Sequence, residues 1–241
     1  MSDNFSLADR TVLITGSSTG LGKAMAHSFG AAGARVAINY QNNVERAEET
    51  FSGFRDAGFE GALFRGDVTD EAEVHRLTAE IAETLGPIDI VVVNATPAQP
   101  QMSIEEYDWE FYQSMIDFFI KSPFLLARAT IPHMRTQKWG RIINIASAAG
   151  QIGFPLRSPY AASKWAVIGL TKTLAVEVAG DGILVNAVCP GPIDGPRMDA
   201  IIEAKAQATA QTALEVREQL EGETLLGRLT PAEHIAEMVA F

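Results

Sequence analysis

Tyr160 and Lys164, with Ser147 upstream, are the side chains of this sequence best suited to moving a proton. Tyr160-Ala161-Ala162-Ser163-Lys164 opens an apolar-periodic stretch running to about Val178, which predicts a helix. Positions i and i+4 share a helical face, so the phenol and the ammonium point the same way. A fixed cation nearby favours phenolate over phenol and draws the tyrosine toward working pH as a general acid/base. Ser147 adds a hydroxyl able to polarise a carbonyl. Alone the pair says little, because Tyr-x-x-x-Lys arises by chance and usually marks a solvated helix face. Its meaning comes from the rest of the chain.

A second cluster lies near the N-terminus: Thr15-Gly16-Ser17-Ser18-Thr19-Gly20-Leu21-Gly22. It follows the apolar run Thr11-Val12-Leu13-Ile14, which predicts a short buried strand, and opens a helical pattern through Met25, Ala26, Phe29 and Gly30. Glycines between strand and helix let the backbone turn tightly and let a pyrophosphate approach the helix N-terminus. Free N–H groups and the helix dipole favour an anion there. A glycine-rich turn in isolation reads as a plain loop. The flanks on both sides favour dinucleotide binding here.

Together these residues resemble the short-chain dehydrogenase/reductase family over nearly the whole chain, in particular the compact branch of ketoacyl reductases and sugar or alcohol dehydrogenases. Thr15-Gly16-x-x-x-Gly20-x-Gly22 matches its cofactor turn, and Asp67-Val68 the pair after the third strand that contacts adenine. Asn94-Ala95 matches the start of its Asn-Ala-Gly motif, and Pro190-Gly191-Pro192-Ile193 the loop at the nicotinamide end. Ser147, Tyr160 and Lys164 match its catalytic set. The resemblance implies an NAD(P)-dependent oxidoreductase interconverting an alcohol and a ketone. Tyr160 would be the acid/base and Ser147 would orient the carbonyl, while Lys164 would bind ribose and lower the tyrosine pKa. Gly16, Ser18, Gly20, Leu21, Gly22, Tyr40, Asp67, Val68, Asn94, Ala95, Pro190, Gly191 and Ile193 would contact the cofactor beside Tyr160 and Lys164.

Cofactor choice turns on the end of the second strand. NAD-dependent relatives place a carboxylate there for the ribose 2′-hydroxyl. Tyr40 occupies that place, and no arginine or lysine sits at Ser17, Ser18 or Gln41. We expect NADP(H) with relaxed discrimination, NAD(H) also being admitted.

The elements that must position these groups alternate from the start. Strands are predicted at 11–15, 35–39, 61–65, 88–94, 140–146 and 183–188, with helices between, the signature of a parallel sheet covered on both faces. Gly33, Gly58, Gly86 and Gly182 punctuate the joins. This is an α/β, Rossmann-type doubly wound fold in a single domain, residues 1–241. Gly16, Asp67, Asn94, Ser147 and Pro190 each follow a predicted strand, where ligands of such sheets bind. The stretch 105–137 predicts two consecutive helices interrupted near Pro123 and Pro132. Residues 194–224 read as the family's substrate lid, or more plainly as an amphipathic surface helix. Met198, Ile201, Ile202 and Leu214 would supply its inner face, opposite Phe154, Pro155 and Leu156.

Four features depart from the family. Phe119 takes the place of the asparagine in the proton relay, Thr96 that of the motif glycine, and Gly195 that of a threonine that binds the nicotinamide end. The family also continues past a segment like 229–241 into a seventh strand, absent from this sequence. These departures motivate a rival reading, a catalytically weakened dinucleotide-binding sensor or scaffold. An intact Ser-Tyr-Lys set, which binding alone does not require, favours the enzyme. A third reading is family chemistry without net oxidation, but dehalogenating relatives lose the glycine turn kept here.

Composition bounds the rest. The 241 residues are 47% hydrophobic and 20% charged, enough for one large core. No apolar run approaches the roughly 18 residues needed to span a bilayer. The opening Met1-Ser2-Asp3-Asn4-Phe5-Ser6 lacks the pattern of a secretory signal. Cys189 is the only cysteine, which suits a reducing cytoplasm. A net charge of −11 argues against nucleic acid or anionic membrane as a partner. The four histidines lack metal-ligand spacing, so no metal is expected. A small carbonyl or alcohol compound is the expected substrate. Apolar stripes at Phe111, Met115, Phe118, Leu125 and Ala129, and at Trp165, Ile168, Thr171 and Ala175, predict a homodimer or homotetramer.

Overall fold

In the computed structural model, which describes residues 6–241, the apolar runs become six parallel strands. They are β1 (Thr11–Ile14), β2 (Arg35–Tyr40), β3 (Gly61–Arg65), β4 (Ile90–Val93), β5 (Gly140–Ile145) and β6 (Ile183–Val188), in spatial order β3-β2-β1-β4-β5-β6. The opening residues read for a signal, 1–5, lie outside the described residues. Val12 pairs with Val36 on one side and Ile90 on the other, so β1 sits where the winding reverses. A strand's side chains alternate between faces, and both faces of this sheet are covered. Val12 and Ile14 pack with Met25, Phe29 and Val239 on one side. Leu13, between them, packs with Val74, Leu77 and Ile131 on the other.

Helices α1 (Gly20–Ala31), α2 (Val44–Asp56) and α9 (Ala232–Ala240) contribute to the first layer. Helices α3 (Glu71–Thr84), α5 (Ser122–Gln137) and α6 (Ser158–Val178) contribute to the second. Asn43 and Asp70 cap α2 and α3 by accepting from Arg46 and Glu73 N–H groups. Each satisfies a donor that the first helical turn leaves free.

The connection from β4 to β5 departs from expectation in part. Helix α4 (Trp109–Ile116) runs into one wide π turn, Asp117–Lys121, and then into α5. The interruption expected near Pro123 is there: the π turn ends just before that proline, whose ring would clash with the carbonyl four residues back, that of Phe119. Pro132 lies inside α5 without ending it.

Helices α7 (Pro196–Thr209) and α8 (Ala213–Gly222) follow β6. Their expected substrate-facing surface is largely used internally. Ile202, Ala206 and Val216 are buried against one another with Met198 and Leu220, while Leu214 is exposed. Thr212 and Glu215 form a reciprocal capping box at the start of α8.

Candidate active site

The glycine turn is built around backbone contacts that only glycine permits. A Cβ on Gly22 would lie 2.4 Å from the Gly16 carbonyl oxygen and 2.7 Å from Asn94 Nδ2. Gly16 has φ +62°, and a Cβ there would meet Ala95 Cα at 2.8 Å. Asn94 locks the turn, its Nδ2 donating to the carbonyls of Thr15 (2.9 Å) and Gly16 (3.2 Å). Thr15 Oγ1 returns the contact by accepting from the N–H groups of Asn94 and Ala95. A residue the sequence reading missed, Asn39, braces the other side. It is buried, accepts from Gly16 N–H at 3.2 Å, and donates to the carbonyls of Phe64 and Gly66.

This turn suits a phosphate. Thr19 makes no side-chain cap, so the first N–H groups of α1 have no side-chain acceptor there. A Cβ on Gly20 or Gly191 would meet nothing within 4 Å, so ligand atoms have room at both places. Ser18 is buried and fixed through its carbonyl to Thr50 Oγ1, while Leu21 packs on the core.

A cleft of about 460 Å³ opens between the ends of β2 and β3, lined by Gln41, Asn42, Arg65, Gly66, Asp67, Glu73 and Arg76. Asp67 is already engaged: one oxygen accepts from Thr69 N–H and Oγ1, the other from Gln41 Nε2 at 2.7 Å. Val68 is buried in the core, and Tyr40 ends β2 beside the cleft. Arg65, overlooked in the sequence because it ends β3 rather than β2, gives Nε to the Gln41 carbonyl at 3.0 Å.

Ser147 stands just beyond β5, and Tyr160 and Lys164 lie on α6, whose Lys164 reaches the carbonyl at the end of that strand. Ser147 Oγ accepts from Ala149 N–H at 3.2 Å, and among the described residues its own hydroxyl has no acceptor. Ala148 N–H donates to the Pro190 carbonyl at 2.9 Å, which ties the serine segment to the Pro190-Gly191 loop. Ile193 forms a bridge to Thr230, anchoring that loop's far end. Lys164 is 5% exposed, and its Nζ donates to the Ile145 carbonyl at 2.7 Å. That ammonium lies 4.0 Å from the centre of the Phe119 ring and 5.6 Å from that of Tyr160. Phe119 and Tyr160 meet edge to face, 5.5 Å apart. The phenyl ring therefore covers the lysine and takes the ammonium on its π face. Burial, reinforced by the charge of Arg197, lowers the Lys164 pKa to about 7.

Arg197 is the other residue that the sequence reading passed over. It sits in the first turn of α7 and donates from its guanidinium to Thr96 Oγ1 at 3.1 Å. Its surroundings hold its pKa below the usual arginine value, by desolvation first and then by Arg157, with Tyr160 acting the other way. The side chain is nevertheless exposed to solvent. A lone arginine in a polar segment has no local signature; only the fold brings it here.

Among the described residues no helix is long and apolar enough to cross a membrane, and no group of three or more His, Cys, Asp or Glu is placed to hold a metal. Comparison with known proteins shows the family. Residues 10–207 match the model of the short chain dehydrogenase family. An uncharacterized oxidoreductase of Thermotoga maritima is 37% identical over 96% of this chain and 89% of its own. The 3-oxoacyl-(acyl-carrier-protein) reductase of Staphylococcus aureus is 33% identical over the same shares. An actinorhodin polyketide ketoreductase with NADPH superposes with a TM-score of 0.90 at 30% identity, covering 96% of this chain and 88% of its own. An NAD+-bound xylitol dehydrogenase also reaches 0.90, at 28% identity, over 99% and 92%. The chain belongs to the short-chain dehydrogenase family and is an NAD(P)-dependent oxidoreductase acting on CH–OH groups.

Proposed function

We propose that the protein interconverts a small alcohol and its ketone, with Tyr160 as acid/base, Ser147 orienting the carbonyl and Lys164 holding ribose. The observation that carries this reading is the convergence of three groups at one sheet edge. An unpartnered Ser147 hydroxyl, the Tyr160 phenol and a buried ammonium lie beyond β5, next to a glycine turn shaped for phosphate. A bound nicotinamide dinucleotide supplies or accepts the hydride. In the reducing direction Ser147 donates to the carbonyl oxygen, and Tyr160 passes it a proton as the carbon is reduced. Lys164, cationic beside the ring, stabilises the phenolate left behind, which solvent reprotonates. The balance is ketone, NAD(P)H and a proton to alcohol and NAD(P)+.

NADP(H) is the preferred cofactor, with NAD(H) also accepted. Tyr40 brings no carboxylate to repel a 2′-phosphate, and Arg65 supplies a guanidinium on the cleft wall. The whole chain acts as one dinucleotide-binding domain, and residues 194–224 serve as its substrate lid. The protein works as a cytoplasmic homodimer or homotetramer.

Tyr160→Phe tests the assignment. Turnover of any accepted ketone should fall by about 10²–10⁴, the usual contribution of a positioned acid/base. The dissociation constant for the dinucleotide should stay within a few-fold, because only the transferable proton is removed. Near-normal turnover in this variant defeats the proposal.

A further inference from the structure

Two arginines near the reaction centre have no acidic partner. Among the described residues, neither Arg157 nor Arg197 forms an ion pair, in a chain carrying a net charge of −11. The acids nearest Arg197 in sequence are taken. Arg217 holds Asp194 at 3.0 Å, Asp199 at 2.7 Å and Glu221 at 3.7 Å. Arg157 stands at the N-cap position of α6 without a side-chain cap bond, three residues before Tyr160, and Arg197 lies in the first turn of α7. The charge of Arg157 acts on Arg197, and that of Arg197 on Lys164.

Two of the departures from the family explain how Arg197 is held. Thr96 stands where a glycine is usual, and its hydroxyl accepts from Arg197 at 3.1 Å and from Gln99 at 2.8 Å. Gly195 stands where a threonine is usual, with φ +142°, a conformation that L side chains rarely adopt. That backbone starts α7 two residues before Arg197, with Pro196 between them. The glycine sets the direction of approach and the threonine receives the guanidinium. A surface salt bridge would need neither.

We propose that Arg197, oriented by Thr96 and seconded by Arg157, is an anion subsite that binds the carboxylate of an oxo acid or hydroxy acid substrate. A guanidinium offers a planar fork of donors that matches a carboxylate. Arg197 spends one donor on Thr96, keeps the others, and is exposed to solvent. The subsite sorts acidic from neutral ketones and rests on the reaction proposed above.

The test compares 3-oxobutanoate, 4-oxopentanoate and 4-oxocyclohexanecarboxylate, each beside its neutral amide. In the wild type at least one acid should exceed its amide in kcat/KM by about tenfold or more, the scale of a charged hydrogen bond in a site. Arg197→Met should bring that ratio close to one, Arg197→Lys should restore part of it, and Thr96→Ala should lower it. The binary dissociation constant for the dinucleotide should shift less than threefold in Arg197→Met. A ratio that survives Arg197→Met overturns the subsite, as does a preference for amides across the panel. A tenfold loss of dinucleotide affinity with the ratio unchanged would give the guanidinium to the cofactor's diphosphate and equally overturn it. If no ketone turns over, the reaction reading fails, and the subsite is judged on melting temperature. The acids should then raise it in the dinucleotide-saturated wild type but not in Arg197→Met; no rise in the wild type sinks it.

Discussion

Lys164 is where burial and catalysis meet most directly. Its ammonium is removed from water, faces another cation, and is compensated by one carbonyl and one phenyl ring. With a folded pKa of about 7 against an ordinary 10.5, the unfolded chain binds more protons between those values. Stability contributed by this residue therefore rises with pH across that window, and below it the cost of a buried charge is fully present. Lys164→Met should accordingly gain stability relative to wild type at pH 6 and lose that advantage by pH 10, as read from melting temperatures. Dinucleotide binding brings phosphate charge into the same site and favours the ammonium. Calorimetry near pH 8 in buffers of different ionisation enthalpy should show proton uptake on binding; release would contradict the picture. Phe119→Leu removes the π face, a loss of about 0.5–2 kcal/mol for the ammonium. The alkaline limb of kcat/KM should then move to lower pH by about 0.4–1.5 units, since one unit corresponds to about 1.4 kcal/mol.

Among the elements, the glycine turn and helix α2 give opposite answers to the same substitution. Gly22→Ala forces a Cβ into the Gly16 carbonyl, a rigid neighbour. It should cost about 1–3 kcal/mol in urea unfolding, as overpacking does, and abolish dinucleotide binding. Gly53→Ala, on the exposed face of α2 with nothing within 4 Å, should instead stabilise by about 0.5–1 kcal/mol. All six strands were legible in the sequence, because buried parallel strands are short unbroken apolar runs between turn residues. The convergence of Gly16, Asp67, Asn94, Ser147 and Pro190 at their ends was legible for the same reason. A break near Pro123 was legible, but its form as a π turn was not: Asp117-Phe118-Phe119-Ile120-Lys121 has helical character in either register, and Pro132 broke nothing. Nor was the pairing of α7 with α8, since an apolar stripe shows that a helix face is covered and not by what. Asn39 and Arg197 escaped because their partners lie far away in sequence.

At the scale of the whole molecule, α6 has two occupied sides. Ser163, Lys164, Val167 and Thr171 face inward, and Thr171 holds Asn144 Nδ2 at 2.9 Å. The outward row is Ala162, Trp165, Ala166, Gly169, Thr173 and Val176, exposed and uncharged, with exposed Lys172 and Glu177 at its two edges. It lies one step around from the expected stripe, in which Thr171 proved to be core and Ile168 and Ala175 half-buried. Met115 and Leu125 are core as well, leaving Phe124 as the large exposed apolar group of α5. Small residues beside Trp165, itself 54% exposed, leave room for a second helix to approach closely. Light scattering at micromolar concentration should therefore show a dimer or larger, and Trp165→Glu should shift it toward 26.0 kDa. A wild-type monomer under those conditions would refute the assembly.

The strand order also has a consequence in time. β1 lies between β2 and β4, yet β2 begins about twenty residues after β1 ends and β4 about fifty residues after β2 ends. During synthesis the unit from β1 to α3 can pair as β3-β2-β1 while its central edge waits for Ile90–Val93 to emerge. That waiting edge is wholly apolar at Val12, Leu13 and Ile14, the kind of exposed strand that recruits a stray partner. Chains halted before β4 should aggregate or be captured by chaperones, whereas chains halted after α5 should resist protease across β1 to β3. In this protein the strand that divides the cofactor site into halves is also the interior strand that waits longest for its second partner.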